Sequence, residues 1–250
     1  MIRSGNEDNF TVDVTETRGI FIVADGMGGH AAGEVASEMA VQIIQRELAP
    51  TEDLGGEGIV KTVATALRKA NRAIHDRTLT EVDKQGMGTT ASVLLVAGAR
   101  YIIGQIGDSR VYLLRDGQFS QITKDHSYVQ EQVDAGFLTP EQARYHPYSN
   151  VITRCVGASP EVEPDIYRGD VRAGDLYLVA SDGLTGMVDD RRLAQLLSSR
   201  AEPDRKVQSL IAEANGRGGL DNITAIIVQV VEIGAPSGDP DLTREGPAVG

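Results

Sequence analysis

Apolar positions along the chain fall into two rhythms. Residues 19–24 (GIFIVA), 91–97 (ASVLLVA), 101–106 (YIIGQI), 110–115 (RVYLLR), 175–180 (DLYLVA) and 223–232 (ITAIIVQVVE) are short, nearly continuous apolar runs. Runs of this length bounded by turn residues predict buried strands. Phe10–Val14 and 118–122 (QFSQI) are weaker strand-like segments. Residues 32–48 and 59–77 instead repeat at helical spacing. In the first, Val35, Met39 and Ile43 lie beside Ala36, Ala40, Ile44 and Leu48; in the second, Val60, Val63, Leu67, Ala70 and Ile74 share a face. That spacing predicts two amphipathic helices, and further helices are predicted at about 190–199 and 204–215.

The connections between the strands of 91–122 are very short, which favours antiparallel pairs, and Asp116-Gly117 is a hairpin turn signal. PTEDLGGEG (50–58) is a loop. The polar stretch 125–150 contains Thr139-Pro140-Glu141-Gln142, a capping box opening a short helix. Strands grouped with strands and helices with helices predict the α+β class. From Gly234 the chain turns to Gly, Pro, Asp and Ser, so 234–250 is expected to be a disordered tail behind one domain at 1–233.

Composition narrows the function. The 250 residues are 41% hydrophobic, enough for a core, but Trp is absent, so that core must come from Val, Ile, Leu and Ala. Asp and Glu number 36 against 24 Lys and Arg, a net charge of -12 that disfavours nucleic acid and anionic membrane surfaces. A phosphorylated substrate would require bound cations to reverse the local sign. Cys155 is the only cysteine, which excludes an internal disulfide and a cysteine-rich zinc site. No apolar run is long enough to span a bilayer, and MIRSGNEDNF lacks a signal-peptide core, so a cytoplasmic protein is expected.

The chemistry-bearing pattern is the placement of carboxylates. Asp25 closes GIFIVAD, Asp108 closes YIIGQIGD, Asp182 closes DLYLVASD, and Asp221 directly precedes the last strand; Glu7 and Asp8 stand beside Phe10–Val14. Each alone is an ordinary turn or cap residue. Together they would repel one another unless a divalent cation neutralised them, and an all-oxygen set suits a hard ion such as Mg²⁺, Mn²⁺ or Ca²⁺. The flanking glycines in DGMGG and SDGL allow backbone to approach an ion. A competing pattern is Gly26-Met27-Gly28-Gly29-His30-Ala31, which fits a dinucleotide-binding turn. Asp25 would then face a pyrophosphate, and no second acid-terminated strand follows at the expected distance, so the cation reading ranks above it.

Taken in order, the motifs Arg3…Asn6-Glu7-Asp8, Val23-Ala24-Asp25-Gly26-Met27-Gly28-Gly29-His30, Gly86-Met87-Gly88-Thr89-Thr90, Gly107-Asp108-Ser109-Arg110, Ser181-Asp182-Gly183-Leu184 and Asp221-Asn222-Ile223-Thr224 resemble the metal-dependent Ser/Thr protein phosphatases, the protein phosphatase 2C family in its bacterial form. The resemblance implies a β-sandwich of two mainly antiparallel sheets flanked by helices in α-β-β-α layers. It also implies hydrolysis of phosphoserine and phosphothreonine on proteins by a metal-activated water, without a phosphoenzyme. Two or three Mn²⁺ or Mg²⁺ ions are implied, with a lean to Mn²⁺. By that similarity Asp25 bridges two metals, the Gly26 carbonyl binds one, and Asp182 and Asp221 complete one shell. Glu7 and Asp8 serve the second metal, Asp108 with Asp182 holds a third, and Arg3 clamps the substrate phosphate. The stretch 125–150 corresponds to the variable flap that influences substrate choice. The implied partner is a phosphoprotein, a Ser/Thr kinase among the candidates, and a monomer is expected.

Two departures stand out. The family has a strand before the Arg-x-x-Asn-Glu-Asp motif, where only Met1-Ile2 precede Arg3, and Met27 takes the place of the histidine assigned as general acid in eukaryotic members. His30, His126 and His146 are candidate donors, each with a plainer reading as a loop or helix-start residue; Asp125 is a further candidate ligand or a turn residue. The 86–90 motif is read as a tight turn or a cleft wall, with no chemistry. Cys155 in TRCVG is not in a phosphate-cradling loop and reads as a core residue. The alternative function is a pseudophosphatase that binds a phosphoprotein as a regulatory module.

Overall fold

The computed structural model describes residues 5–56 and 58–233, and it is built as four layers. The chain opens with strands β1 (Asp8–Val14) and β2 (Arg18–Met27), then helices α1 (His30–Leu48) and α2 (Ile59–Thr80). Strands β3 (Gly88–Thr89), β4 (Ala91–Ala97), β5 (Arg100–Ile106), β6 (Arg110–Arg115) and β7 (Gln118–Gln121) follow, then helices α3 (Tyr128–Asp134) and α4 (Pro140–Arg144). Strands β8 (Asp165–Asp170) and β9 (Leu176–Ala180), helices α5 (Asp182–Thr185), α6 (Asp190–Leu197) and α7 (Pro203–Gly216), and strand β10 (Ala225–Gln229) complete it. Residues 234–250, expected as a tail, lie outside the described residues.

One sheet runs β1-β2-β4-β5-β8, with β3 added to β2, and the other runs β10-β9-β6-β7; every pair is antiparallel. Alternation along β2 explains the layering. Ile20, Ile22 and Ala24 point at α1 and α2, packing with Ala36, Ile44, Leu67 and Ile74. Phe21 and Val23 point the other way and meet Val111, Tyr177 and Val179 of the second sheet. The outer face of that sheet, with Tyr112 and Leu178, is covered by Leu193, Leu197 and Leu210 of α6 and α7. Because both faces of each central strand are buried, the strands read as continuous apolar runs. On edge strand β1, Phe10 and Val12 pair with Val23 and Phe21, so they extend the inter-sheet face outward, where they are exposed.

Three features depart from the expected elements. Strands β5 and β6 do not pair: the chain leaves the first sheet at Ile106 and enters the second at Arg110. Sheets stack about 10 Å apart and an extended residue spans about 3.3 Å, so the link Gly107-Asp108-Ser109 is just long enough to change layers. Strand β8 is not among the expected elements, since Asp165–Asp170 is a polar edge strand without apolar alternation. Helix α3, capped by Ser127 accepting from the Gln130 amide at 3.3 Å, lies in the polar stretch 125–150, where the sequence predicts only the later helix at Thr139. The capping box at Thr139 and Gln142 is present, and Asp116-Gly117 forms the β6–β7 turn with φ of 51° and 78°. No described helix is long and apolar enough to cross a membrane.

Candidate metal centre

Strand register gathers the acidic residues at one edge of the sandwich. In the first sheet Asp8 is the direct partner of Asp25. In the second, Ala180 pairs with both Arg110 and Ala225, which brings the start of β6, the end of β9 and the start of β10 to one end. Asp108 lies just before β6, Asp182 just past β9, and Asp221 just before β10. The sheets are stitched together there: Asp8 Oδ2 accepts from Ser181 Oγ at 2.8 Å and from Thr224 Oγ1 at 2.7 Å. The Glu7 N–H donates to Asn222 Oδ1 at 3.0 Å, and its carbonyl accepts from the Gly26 N–H at 3.1 Å and from Ser37 Oγ at 2.6 Å. The end of β2 is held by the 86–90 motif. The Asp25 N–H donates to Thr90 Oγ1 at 2.9 Å, and its carbonyl accepts from Thr89 Oγ1 at 2.9 Å and from the Thr90 N–H at 2.9 Å.

The electrostatics are those of carboxylates crowded away from water. Burial, then the charges of Asp182, Asp8 and Asp108, push the Asp25 carboxyl well above its ordinary range. Asp8 is raised by burial against the lowering pull of the Thr224 and Ser181 hydroxyls. Asp108 is pushed up to about 8, by burial first and then by the charges of Asp182 and Asp125. Among the described residues no donor reaches the buried Oδ1 of Asp8. No ready-made cage of three His, Cys, Asp or Glu side chains exists among them either. The fit to a metal rests instead on the donor set: oxygen only, partly desolvated, mutually repelling, with a buried oxygen lacking a donor. Asp8, Asp25, Asp108 and Asp182 could hold hard divalent cations, which would relieve this repulsion, and Glu7 and Asp221 could add oxygens from the adjoining backbone segments.

Other sequence candidates separate from this set. Asp125 is taken up by Arg110, whose Nε and Nη2 donate to it at 3.0 and 2.7 Å, so it ties the start of the 125–150 stretch to β6. His126 is buried and accepts the Gly107 N–H on Nδ1 at 3.0 Å. His146 accepts the Tyr148 N–H on Nδ1 at 3.1 Å, within a cluster with the rings of Tyr128 and Tyr148. Cys155 is half-buried and packs near Gly88. Arg3 and the His30 side chain lie outside what the structure describes. A cavity of about 650 Å³ between α2 and residues 160–163 includes none of the acidic residues named for the centre. Thr89, Thr90, Ser181 and Thr224 stand in the sequence motifs but carry no assigned role there, and Ser37 and Gln105 lie outside the motifs. Their signal was hydroxyl or amide side chains standing next to the acidic motifs.

Comparisons with known proteins point to one family. A model of the family described as protein phosphatase 2C matches residues 3–214. The chain is 41% identical over 261 residues to the serine/threonine protein phosphatase PstP of Mycobacterium tuberculosis, a match covering 100% of this chain and 49% of that protein. The chain thus spans about half the length of that relative. Among solved structures, the S. agalactiae serine/threonine phosphatase has a TM-score of 0.85 at 39% identity, covering 93% of this chain and 96% of that one. The catalytic domain of PstP in complex with 2 manganese ions has a TM-score of 0.81 at 39% identity, covering 93% and 94%. A helix-flanked antiparallel sandwich is the architecture this chain shares with those solved serine/threonine phosphatase structures. The chain belongs to the protein phosphatase 2C family.

Proposed function

We propose that residues 1–233 form a catalytic domain that hydrolyses phosphoserine and phosphothreonine on proteins at the acidic edge. The observation that carries the reading is the convergence of Asp8 and Asp25 from one sheet with Asp108 and Asp182 from the other at a single edge, where burial and mutual charge raise the Asp8, Asp25 and Asp108 carboxyls. The manganese complex of the PstP catalytic domain supports two Mn²⁺ ions here; a third, with Asp108 among the residues that would hold it, rests on the family resemblance alone. Divalent cations, when bound, supply Lewis-acid chemistry: they make water nucleophilic at neutral pH and neutralise phosphoryl oxygens.

The chain's own residues do the rest. Asp25, central among the carboxylates, would hold the cations together with the carbonyl of Gly26 beside it. Asp182 and Asp221 would contribute further oxygens from the second sheet, and Glu7 and Asp8 from the first. Ser181 and Thr224 orient Asp8 through their hydroxyls, and Thr89 and Thr90 fix the Asp25 backbone. Outer partners of this kind commonly change metal affinity or activity about 10–100-fold when removed. Arg3 holds the substrate phosphate, a task suited to its forked guanidinium. The partner is a phosphorylated protein, a Ser/Thr kinase among the candidates, in the cytoplasm. The test is phosphate release from a phosphothreonine peptide with and without Mn²⁺, with Asp182→Asn as control. Mn²⁺-dependent release abolished in the variant is expected. A wild type that binds Mn²⁺ yet releases no phosphate overturns the enzyme reading in favour of a phosphoprotein-binding role.

A further inference from the structure

Asp108 sits on the link Gly107-Asp108-Ser109, which passes between sheets and has no strand ladder of its own. Side chains fix it from two directions. From the first sheet, Gln105 Nε2 donates to the carbonyls of Gly107 at 3.0 Å and Ser109 at 2.7 Å, and Gln105 Oε1 accepts from Ser92 Oγ at 2.6 Å. The hydroxyls of Thr90 and Ser109 meet at 2.8 Å. From the flap side, His126 engages Gly107 twice. Its backbone N–H donates to the Gly107 carbonyl at 2.9 Å, and its Nδ1 accepts the Gly107 N–H at 3.0 Å. Gly107 has a φ of 101°, and a Cβ there would stand 2.6 Å from Thr90 Cγ2, so this left-handed turn requires glycine.

The ring's protonation follows from its partners. A nitrogen that accepts an N–H carries no proton, so Nδ1 is bare and the proton is on Nε2, 3.2 Å from Asp165 Oδ2. Arg154 closes the group: its Nη1 donates to Asp165 Oδ1 at 2.7 Å and the Glu163 carbonyl at 2.8 Å, and stands 3.0 Å from His126 Nε2. Burial first, and then the charge of Arg154, keep the imidazole neutral against the pull of Asp165. His126 thus links β8, the root of the flap and the backbone immediately before Asp108.

We propose that His126 is a positioning residue for Asp108: by capturing the Gly107 N–H it fixes the backbone that presents the Asp108 carboxylate, and so sets the affinity of the cation site to which Asp108 contributes. The proposal rests on the acidic edge being a cation centre, and its test separates the two. His126→Asn keeps an acceptor where Nδ1 stands and loses reach to Asp165. His126→Gln carries its amide to the Nε2 position and leaves the Gly107 N–H unpaired. His126→Ala loses both contacts. Hydrogen exchange of the Gly107 amide is measured in metal-free protein, and Mn²⁺ binding by calorimetry, for all four proteins.

The expected result is faster Gly107 exchange in the Ala and Gln variants and a weakest Mn²⁺ site loosened about 10-fold, with the Asn variant near wild type in both. In turnover, the loss should appear in the Mn²⁺ concentration giving half-maximal rate and be recovered at saturating Mn²⁺. Unchanged exchange and binding in the Gln variant would overturn the proposal, as would equal losses in the Asn and Gln variants, which would mark His126 as general support. Wild-type protein that binds no Mn²⁺ would overturn the cation centre, and with it the affinity claim, while Gly107 exchange would still decide the positioning claim.

Discussion

Asp8 and Asp25 are direct cross-strand partners in the β1–β2 pair. Like charges set opposite each other destabilise a sheet, and both carboxyls are raised above their ordinary range. The pair is nevertheless built in with care. Two hydroxyls from the far sheet are aimed at Asp8, and two threonines hold the backbone of Asp25. Such an arrangement is costly to a metal-free fold, and a bound divalent cation would relieve it.

Asp25→Asn should therefore stabilise the metal-free protein while abolishing its response to metal. Removing one of the mutually repelling charges should raise the metal-free Tm, by about 2–4 °C for each kcal/mol recovered in a chain of this size. The further rise produced by Mn²⁺ in wild type should be lost, and peptide hydrolysis should fall more than about 100-fold. Thermal unfolding with and without Mn²⁺ checks this. A variant less stable than wild type without metal would show that the Asp25 carboxylate is a net stabiliser of the fold.

The metal-free protein should also lose stability as pH rises. Asp108 titrates near 8 in the fold against an ordinary value of 3.8, so between these limits the folded form holds a proton that the unfolded chain has released. Stability then falls as pH climbs through that window and levels off above it. Urea unfolding of chelator-treated protein at several pH values from 5 to 9 measures the slope. Asp108→Asn should flatten it in part, Asp8 and Asp25 contributing in the same direction. A wild-type stability that rises with pH across this window would contradict the assignment.

Much of this was legible in the sequence. Helices at 32–48 and 59–77 and the runs 91–97 and 110–115 were clear because both faces of each central strand are buried and the helices carry one apolar face. The acidic edge was legible because each carboxylate ends or precedes an apolar run. The layer change at Asp108 was not, since YIIGQI and RVYLLR are apolar on both faces and a short link fits a hairpin equally well. Nor were the roles of Thr90, Ser181 and His126, which depend on contacts across the sandwich between residues far apart in sequence. Strand β8 stayed hidden because an edge strand pairs through its backbone and needs no apolar alternation.

Gly183→Ala should disturb the centre through the backbone of another segment. A Cβ at Gly183 would stand 1.8 Å from the Asn222 carbonyl oxygen, so the Asp221-Asn222 loop must shift. Asn222 holds the Glu7 N–H, so displacement reaches both sheets. Overpacking of this kind costs about 1–3 kcal/mol or more, and Mn²⁺ affinity should fall with it. Gly174→Ala is the control: φ is 91° with nothing near a Cβ, so it should cost backbone strain of about 1–2 kcal/mol and leave Mn²⁺ binding unchanged. Equal losses of Mn²⁺ affinity in both variants would show that the response is to global stability rather than to the Asp221 loop.

Cys155→Ala should leave turnover intact. A cysteine nucleophile needs its thiolate stabilised by a positive or hydrogen-bonding environment. Burial pushes the Cys155 thiol up, and the Asp108 charge adds to the rise, against the lowering effect of the Ala158 backbone. The side chain packs near Gly88, with Sγ 3.4 Å from where a Cβ would stand on that glycine. Its environment therefore suits a small packed thiol and opposes a thiolate. Hydrolysis at saturating Mn²⁺ should stay within about threefold of wild type, and iodoacetamide should leave the metal-loaded wild type active. A loss of about 100-fold or more in the variant, with Mn²⁺ binding preserved, would place the thiol in the reaction and overturn the assignment of the chemistry to the acidic edge alone.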